Sequence, residues 1–324
     1  MISTDKSKPD WAGEDLLSRL VNLLIKTKPI YSIMQRQARQ VLIKTAEKNG
    51  IAWRKNYQEL ENSGAKDLLD YLTDKDIVYP NYYQLPFHAY DRGNLCWQAA
   101  FEAASATHSM GLRVWNEELT WQQAQQKLRY SFYEVLEQYT PATITNILDL
   151  GCSVGISTIE LHRYFSGKQQ QPIYTVGLDL SPYMLAVAKT TDTQQEIGQW
   201  LHGLGESTGL ADNSQDLVTL QFVIHELPRQ ATVKIFQEVL RILKPGGVMA
   251  IVDNNPASPV IQSLPPVLFT LMKSTEPWSD DYYTFDVEAA IKQVGFDYRS
   301  TVASGPRHRT IIGVKPIKNS NQAE

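Results

Sequence analysis

The sequence predicts an α/β chain: a doubly wound, mostly parallel sheet preceded by an N-terminal helical region. Three observations carry that prediction. The stretch Asn146-Ile147-Leu148-Asp149-Leu150-Gly151-Cys152-Ser153-Val154-Gly155 is an apolar run that ends in a glycine-punctuated turn, and Ile159, Leu161, His162 and Phe165 follow at helical spacing. Further buried-strand runs begin at Tyr174, Asp216 and Val248 and alternate with amphipathic helical stretches. The bulk composition, 43% hydrophobic and 20% charged residues in 324, is that of a folded globular chain.

The elements follow in order. Residues 13–48 read as one or two amphipathic helices, with stripes at Leu16, Leu17, Leu20, Val21 and Leu24 and at Ile33, Met34, Val41 and Leu42, broken near Lys28-Pro29. Arg19, Lys26, Lys28, Arg36, Arg39, Lys44 and Lys48 make this region basic, which would suit peripheral contact with a membrane surface; a helical subdomain with a solvated charged face is the preferred reading. Leu60, Leu68, Leu69 and Leu72 are spaced for another helix or two. From Val78 to Trp97 the chain becomes dense in Tyr, Phe, His and Trp, with Pro80, Pro86 and Gly93 interrupting any long element, and it is expected against the carboxyl edge of the sheet. Helices at 95–108 and 118–139 lead into the first strand. Pro228 opens a helix bearing Phe236, Val239, Leu240 and Leu243 on one face, and Pro245-Gly246-Gly247 ends it before a strand from Val248 to Asp253. Residues 257–285 look like a lid insertion. Phe285 to Val294 is a helix stopped by Gly295, and a closing hairpin (Phe296 to Ala303, Thr310 to Lys315) holds a basic, solvated loop at 304–309. The expected organisation is therefore a helical and aromatic-rich subdomain at 1–117, an α/β domain at 118–317 and a disordered tail at 318–324.

The glycine turn is built to hold a ligand. Gly151 and Gly155 carry no Cβ, so they permit left-handed dihedrals and close approach, and the amide groups opening the next helix favour an anionic group. Ser153 stands where a dinucleotide fingerprint needs glycine, and no Gly-Lys-Ser/Thr follows, so neither that fingerprint nor a P-loop fits. Asp179 ends the second strand about 30 residues on, where an acid can accept hydrogen bonds from both hydroxyls of a ribose. The alternative reading makes Asp179 a helix N-terminal acid ahead of Ser181 and Pro182.

Together, Asp149-x-Gly151-x-x-x-Gly155, the acid at 179, the segment Trp200 to Asp216 and the turn Leu243-Lys244-Pro245-Gly246-Gly247 resemble the class I S-adenosylmethionine-dependent methyltransferases. The likeness covers roughly residues 135–255 and is to the type-11 family, relatives of the ubiquinone/menaquinone C-methyltransferases. His225-Glu226-Leu227-Pro228 resembles a plastid and cyanobacterial branch. The resemblance implies a seven-stranded Rossmann-like sheet and S-adenosyl-L-methionine as cofactor, S-adenosyl-L-homocysteine being the product. The cofactor would be held by Asp149, Gly151, Ser153, Gly155, Asp179, Leu180, Gly205, Glu206 and Gln221. Leu204 occupies the position of the family's adenine-binding Asp, leaving base recognition to backbone groups at Gly205 with help from Ser207.

His225, just past the fourth strand and of a residue type that titrates near neutrality, is the expected base, with Glu226 orienting it or serving instead. Tyr83, His88 and Tyr90, with Asp253 and Asn254 after the fifth strand, are the expected contacts of a small, aromatic or lipophilic acceptor. Asp91 and Asn94 are further polar residues expected to point at something. Other classes remain in view: a protein or RNA methyltransferase, or a non-catalytic cofactor-binding module. Net charge −4 and pI about 5.9 argue against a nucleic-acid partner. Two cysteines suit a reducing, cytoplasmic compartment and make a structural zinc site unlikely. Neither a signal peptide nor a run long enough to span a membrane is expected.

Overall fold

The computed structural model describes residues 28–317 apart from Ala89; the predicted stripe at 16–24 and the tail 318–324 lie outside the described residues. α1 (Lys28–Lys48) begins where the sequence predicts a break, because proline fits the first turn of a helix and not its middle. α2 (Trp53–Glu61), α3 (Leu69–Leu72) and α4 (Trp97–Leu112) follow. α5 (Trp121–Glu137) starts with a capping box in which Thr120 and Gln123 satisfy one another's backbone amides.

The sheet is then laid down as β1 (Asn146–Leu150), α6 (Ile156–Ser166), β2 (Tyr174–Asp179), α7 (Pro182–Thr191), β3 (Gln199–His202), β4 (Gln215–Gln221), α8 (Arg229–Ile242) and β5 (Leu243–Asn254). Three short helices, α9 (Pro259–Gln262), α10 (Pro266–Lys273) and α11 (Ser279–Tyr283), occupy the predicted insertion. α12 (Val287–Val294) stops at Gly295, whose φ of 114° suits a residue without a side chain. β6 (Asp297–Ala303) and β7 (His308–Val314) close the chain. The seven strands lie in the order β3-β2-β1-β4-β5-β7-β6. The first five pair in parallel, and β7 runs antiparallel to both β5 and β6.

The centre of the sheet is covered on both faces. Leu148, Leu150, Val218, Leu220, Met249 and Ile251 join Phe236 and Val239 of α8 and Ile291 of α12 in one core. Ile147, Leu217, Val248, Ala250 and Val252 join Phe132 and Leu136 of α5 and Leu161 and Phe165 of α6 in the other. Continuous apolar runs are what doubly covered parallel strands require, which is why the sequence shows them as runs and not as alternation. A third cluster fastens the N-terminal helices to the sheet domain: Ala99, Ala100 and Phe101 of α4 pack with Met184 and Val187 of α7 and with Tyr57 of α2.

Two expectations need correction. β5 begins at Leu243, not Val248, because Leu243 pairs with Gln215 and the amide of Gly246 donates to the carbonyl of Lys315. The 304–309 segment is not a solvated basic loop: His308 and Arg309 belong to β7 and are buried, Arg309 pairing with Glu288 at 2.8 Å, while Arg307 donates to the carbonyl of Arg113.

Candidate active site

Strand order reverses between β1 and β4, and the crevice beyond their carboxyl ends is where a doubly wound sheet binds its ligand. Gly151 and Gly155 adopt left-handed φ values of 77° and 78° there. A Cβ on Gly151 would fall 2.5 Å from a methyl of Val223, and one on Gly155 would fall 2.4 Å from the Trp200 ring, so both turn and packing require glycine. Ser153 is also left-handed, at φ 49°, a conformation uncommon outside glycine. Its amide donates to Asp179 Oδ2 at 2.8 Å, tying the turn to the end of β2, and the Ser181 amide donates to Oδ1 at 2.8 Å.

The Asp179 carboxylate therefore sits at the strand crest with its oxygens partly engaged by backbone amides. A carboxylate has about four lone-pair sites, so capacity remains for a pair of hydroxyls. Burial raises its pKa to about 6, against the opposing pull of those amide hydrogen bonds. One pH effect follows. The anion is the form that accepts from both hydroxyls, so S-adenosylhomocysteine affinity should fall roughly tenfold between pH 7 and pH 5 as Asp179 takes a proton, a titration calorimetry can follow. For stability the sign is opposite: an acid whose pKa is raised on folding favours the fold at low pH, and this contribution fades as pH rises through about 6.

Other expected cofactor contacts are placed differently. Asp149 is buried, and its oxygens accept from Thr158 Oγ1 (2.7 Å), Thr219 Oγ1 (2.6 Å) and Gln221 Nε2 (3.2 Å). It braces β1, β4 and α6 behind the turn, so a direct ligand role is corrected to a positioning one. Gln221 spends its side chain on that contact, leaving its backbone for the crevice. Gly205 fits against Leu150 and Ile235, where a Cβ would meet both at 3.1 Å, in a tight turn closed by the Leu204–Ser207 bridge. Leu180 is buried, its carbonyl near His202 Nε2 at 3.1 Å. Glu206 accepts from the hydroxyl of Tyr82 at 2.5 Å, so an N-terminal residue reaches over the crest to this loop.

Tyr82 belongs to the aromatic segment, which lies where the sequence places it. Tyr79 approaches His202 at 3.2 Å and stacks on Tyr83 with ring centres 6.4 Å apart. Burial holds the Tyr83 hydroxyl well above its usual pKa, and the carboxylates of Asp179 and Glu226 act in the same direction. Asn94 donates to Glu226 Oε2 at 3.5 Å, and its carbonyl accepts from Ser181 Oγ at 2.6 Å. Tyr90 is a correction: its hydroxyl donates to buried Glu102 of α4 at 2.7 Å, a carboxylate also held by Arg39. Tyr90→Phe should therefore lower the melting temperature by a few degrees, through loss of about 1–2 kcal/mol, and leave cofactor affinity unchanged in calorimetry.

The loop after β4 holds the two residues expected to act as base, His225 and Glu226. Phe222 is held at φ 60°, a strained value for a bulky residue, with its amide on the carbonyl of Val252. One 3-10 turn then presents His225 and Glu226. His225 Nδ1 lies 2.8 Å from Asp253 Oδ1, and the His225 amide donates to Asp253 Oδ2 at 3.2 Å. Burial opposes the imidazolium most strongly, but the charge and hydrogen bonding of Asp253, with the charges of Glu276 and Glu226 added, together outweigh it and push His225 up to about 10. That corrects the expectation of a histidine poised near neutrality, since sequence could not show Asp253 fully buried against its ring. Asn254 donates its amide to Asp253 Oδ1 at 2.7 Å and accepts the Tyr282 hydroxyl at its carbonyl. His88 Nε2 lies 4.0 Å from Glu226 Oε1. Burial lowers the His88 pKa to about 3 although its side chain keeps 42% of its surface accessible. His88, His225, Glu226 and Glu276 share one space, the chamber. Burial raises Glu226 to about 8, against the opposing pull of His225. Glu276 and Tyr282, from the insertion, lie beside His225, with the Tyr282 and His225 ring centres 6.2 Å apart and Tyr283 packed against Tyr282; sequence shows only that the insertion is rich in aromatics.

A glycine turn, an acid at the end of β2, this strand order and an antiparallel seventh strand define a class I S-adenosylmethionine-dependent methyltransferase domain. Residues 148–251 match the family Methyltransf_11, "Methyltransferase domain", and the sheet domain belongs to that class. Among relatives, a demethylmenaquinone methyltransferase of Lactiplantibacillus plantarum is 33% identical over 133 residues, 40% of this chain and 54% of that one. An uncharacterized methyltransferase of Synechocystis is 31% identical over 151 residues, 46% of this chain and 66% of the relative. The chain thus spans only about half the length of the first. Among solved structures, Haemonchus contortus phosphoethanolamine N-methyltransferase 2 in complex with S-adenosyl-L-methionine superposes with a TM-score of 0.49 at 17% identity, over 76% of this chain and 62% of that one. No helix among the described residues is long and apolar enough to cross a membrane.

Proposed function

We propose that the protein is an S-adenosylmethionine-dependent methyltransferase acting on a small aromatic or lipophilic acceptor. The carrying observation is that one residue joins the crest to the loop after β4: the Asn94 carbonyl accepts from Ser181, two residues past Asp179, and its side-chain amide donates to Glu226. The donor, when bound, supplies a methyl group activated by a sulfonium. Gly151, Ser153 and Gly155 would cradle its amino-acid end, Asp179 its sugar, and the backbone at Gly205 its base. Tyr79, Tyr82 and Tyr83 cover the crest and exclude water, which favours a reaction in which positive charge disappears. Positioning the acceptor against the methyl group is then the main work left to Tyr83, Asn94, His225 and Glu226. Asn254 contributes through its backbone. The relatives named for demethylmenaquinone favour a lipophilic ring as acceptor, and the basic α1 would suit delivery from a membrane surface. Incubating the full chain with cell extract and methyl-labelled donor should place label in an organic-soluble small molecule identified by mass. Label only in protein or RNA, or none at all, would defeat this reading.

A further inference from the structure

We propose that His88, His225 and Glu276 form a binding site for a divalent first-row transition ion on the wall of the chamber. Three segments distant in sequence meet here: the aromatic segment, the loop after β4 and the insertion. Each offers one ligand atom, and the three atoms lie within 4.8 Å of one another. Metal–ligand distances of roughly 2.1 Å place donors about 3–3.5 Å apart, so small side-chain rotations close the set.

Three features arrange these groups for coordination. His225 has its Nδ1 face against Asp253, which leaves Nε2 as the donor nitrogen; a carboxylate behind the imidazole is the usual means of orienting a metal-binding histidine. His88 is held in a left-handed conformation, φ 48°, and its amide donates to the carbonyl of Thr275 at 2.9 Å. That bond fastens His88 directly beside Glu276, and the strain it maintains is of the kind concentrated at ligand sites. Ser279 Oγ donates to Glu276 Oε2 at 3.2 Å, steadying the carboxylate. Glu226 Oε1 lies 4.0 Å from His88 Nε2, at the edge of the set and outside it.

Charge points the same way. Asp253 is paired with His225, and among the described residues no lysine or arginine forms an ion pair with Glu226 or Glu276, the two carboxylates beside the histidines. Two imidazoles and a carboxylate suit zinc, iron(II), cobalt(II) or manganese(II), whereas magnesium and calcium prefer all-oxygen sets. Three protein ligands leave coordination positions facing the chamber, which fits an acceptor bearing an oxygen donor; this last point alone rests on the methyltransferase reading.

The test uses the full chain, stripped with EDTA and titrated with zinc or cobalt(II) in a calorimeter. One equivalent should bind, with micromolar or tighter affinity. His88→Ala and Glu276→Gln should each weaken binding at least tenfold, and Asp253→Asn by roughly 10- to 100-fold. His162→Gln, on α6 and bonded to Thr175, should leave it unchanged. Absence of one-equivalent binding, or wild-type affinity in both His88→Ala and Glu276→Gln, would overturn the site. S-adenosylhomocysteine is titrated into the same samples. Its binding without metal binding removes this proposal only; metal binding without it removes the donor reading only.

Discussion

Asp179→Asn is expected to weaken S-adenosylhomocysteine binding by roughly 10- to 100-fold and to abolish its pH dependence between pH 5 and 7. Hydrogen bonds to a charged acceptor contribute about 1.5–3 kcal/mol, and the amide replaces one acceptor oxygen with a donor. That NH2 group must also face the amide of Ser153 or Ser181, both of which now donate to the carboxylate at 2.8 Å, so the turn loosens as well. Calorimetry separates the two readings of this residue. If Asp179 served only to open α7, the variant would melt lower and bind the nucleoside as before.

His225→Ala carries the second large effect. Asp253 is fully buried, and removing the ring leaves its carboxylate, among the described residues, with hydrogen bonds from the amides of His225 and Asn254. Breaking one side of a buried ion pair costs about 3–5 kcal/mol, or roughly 6–20 °C in melting temperature for a domain of about 200 residues. Methyl transfer should fall sharply while S-adenosylhomocysteine affinity stays within severalfold. The double variant His225→Ala/Asp253→Ala should regain part of the stability, because the stranded charge is gone. A melting temperature unchanged in the single variant would show that the pair does not hold the loop.

The crest was legible in the sequence because its chemistry is local. Gly151, Ser153, Gly155 and Asp179 lie within two strand-to-helix turns, where apolar runs, glycines and a terminal acid have fixed meanings, and the turns fold as read. The chamber was only partly legible. His88, His225, Glu226, Asp253 and Asn254 were candidates by position, but their roles depend on contacts made across long sequence separations. The Asp253 charge that lifts His225, and the Thr275 carbonyl that pins His88, leave no local trace. Glu276 was missed for the same reason. Tyr90 was misplaced because an aromatic-dense stretch does not say which ring turns inward, and its hydroxyl found Glu102 of α4. Asp149 shows a subtler limit: the residue type fits the motif, yet Thr158, Thr219 and Gln221 take its oxygens.

The most direct measurement is a crystal structure of the full chain with S-adenosylhomocysteine. The expected result is a nucleoside lying over Gly151–Gly155, both ribose hydroxyls on Asp179 and the sulfur facing the chamber bounded by Tyr83 and Glu226. A ligand found elsewhere, or none at saturating concentration, would contradict it.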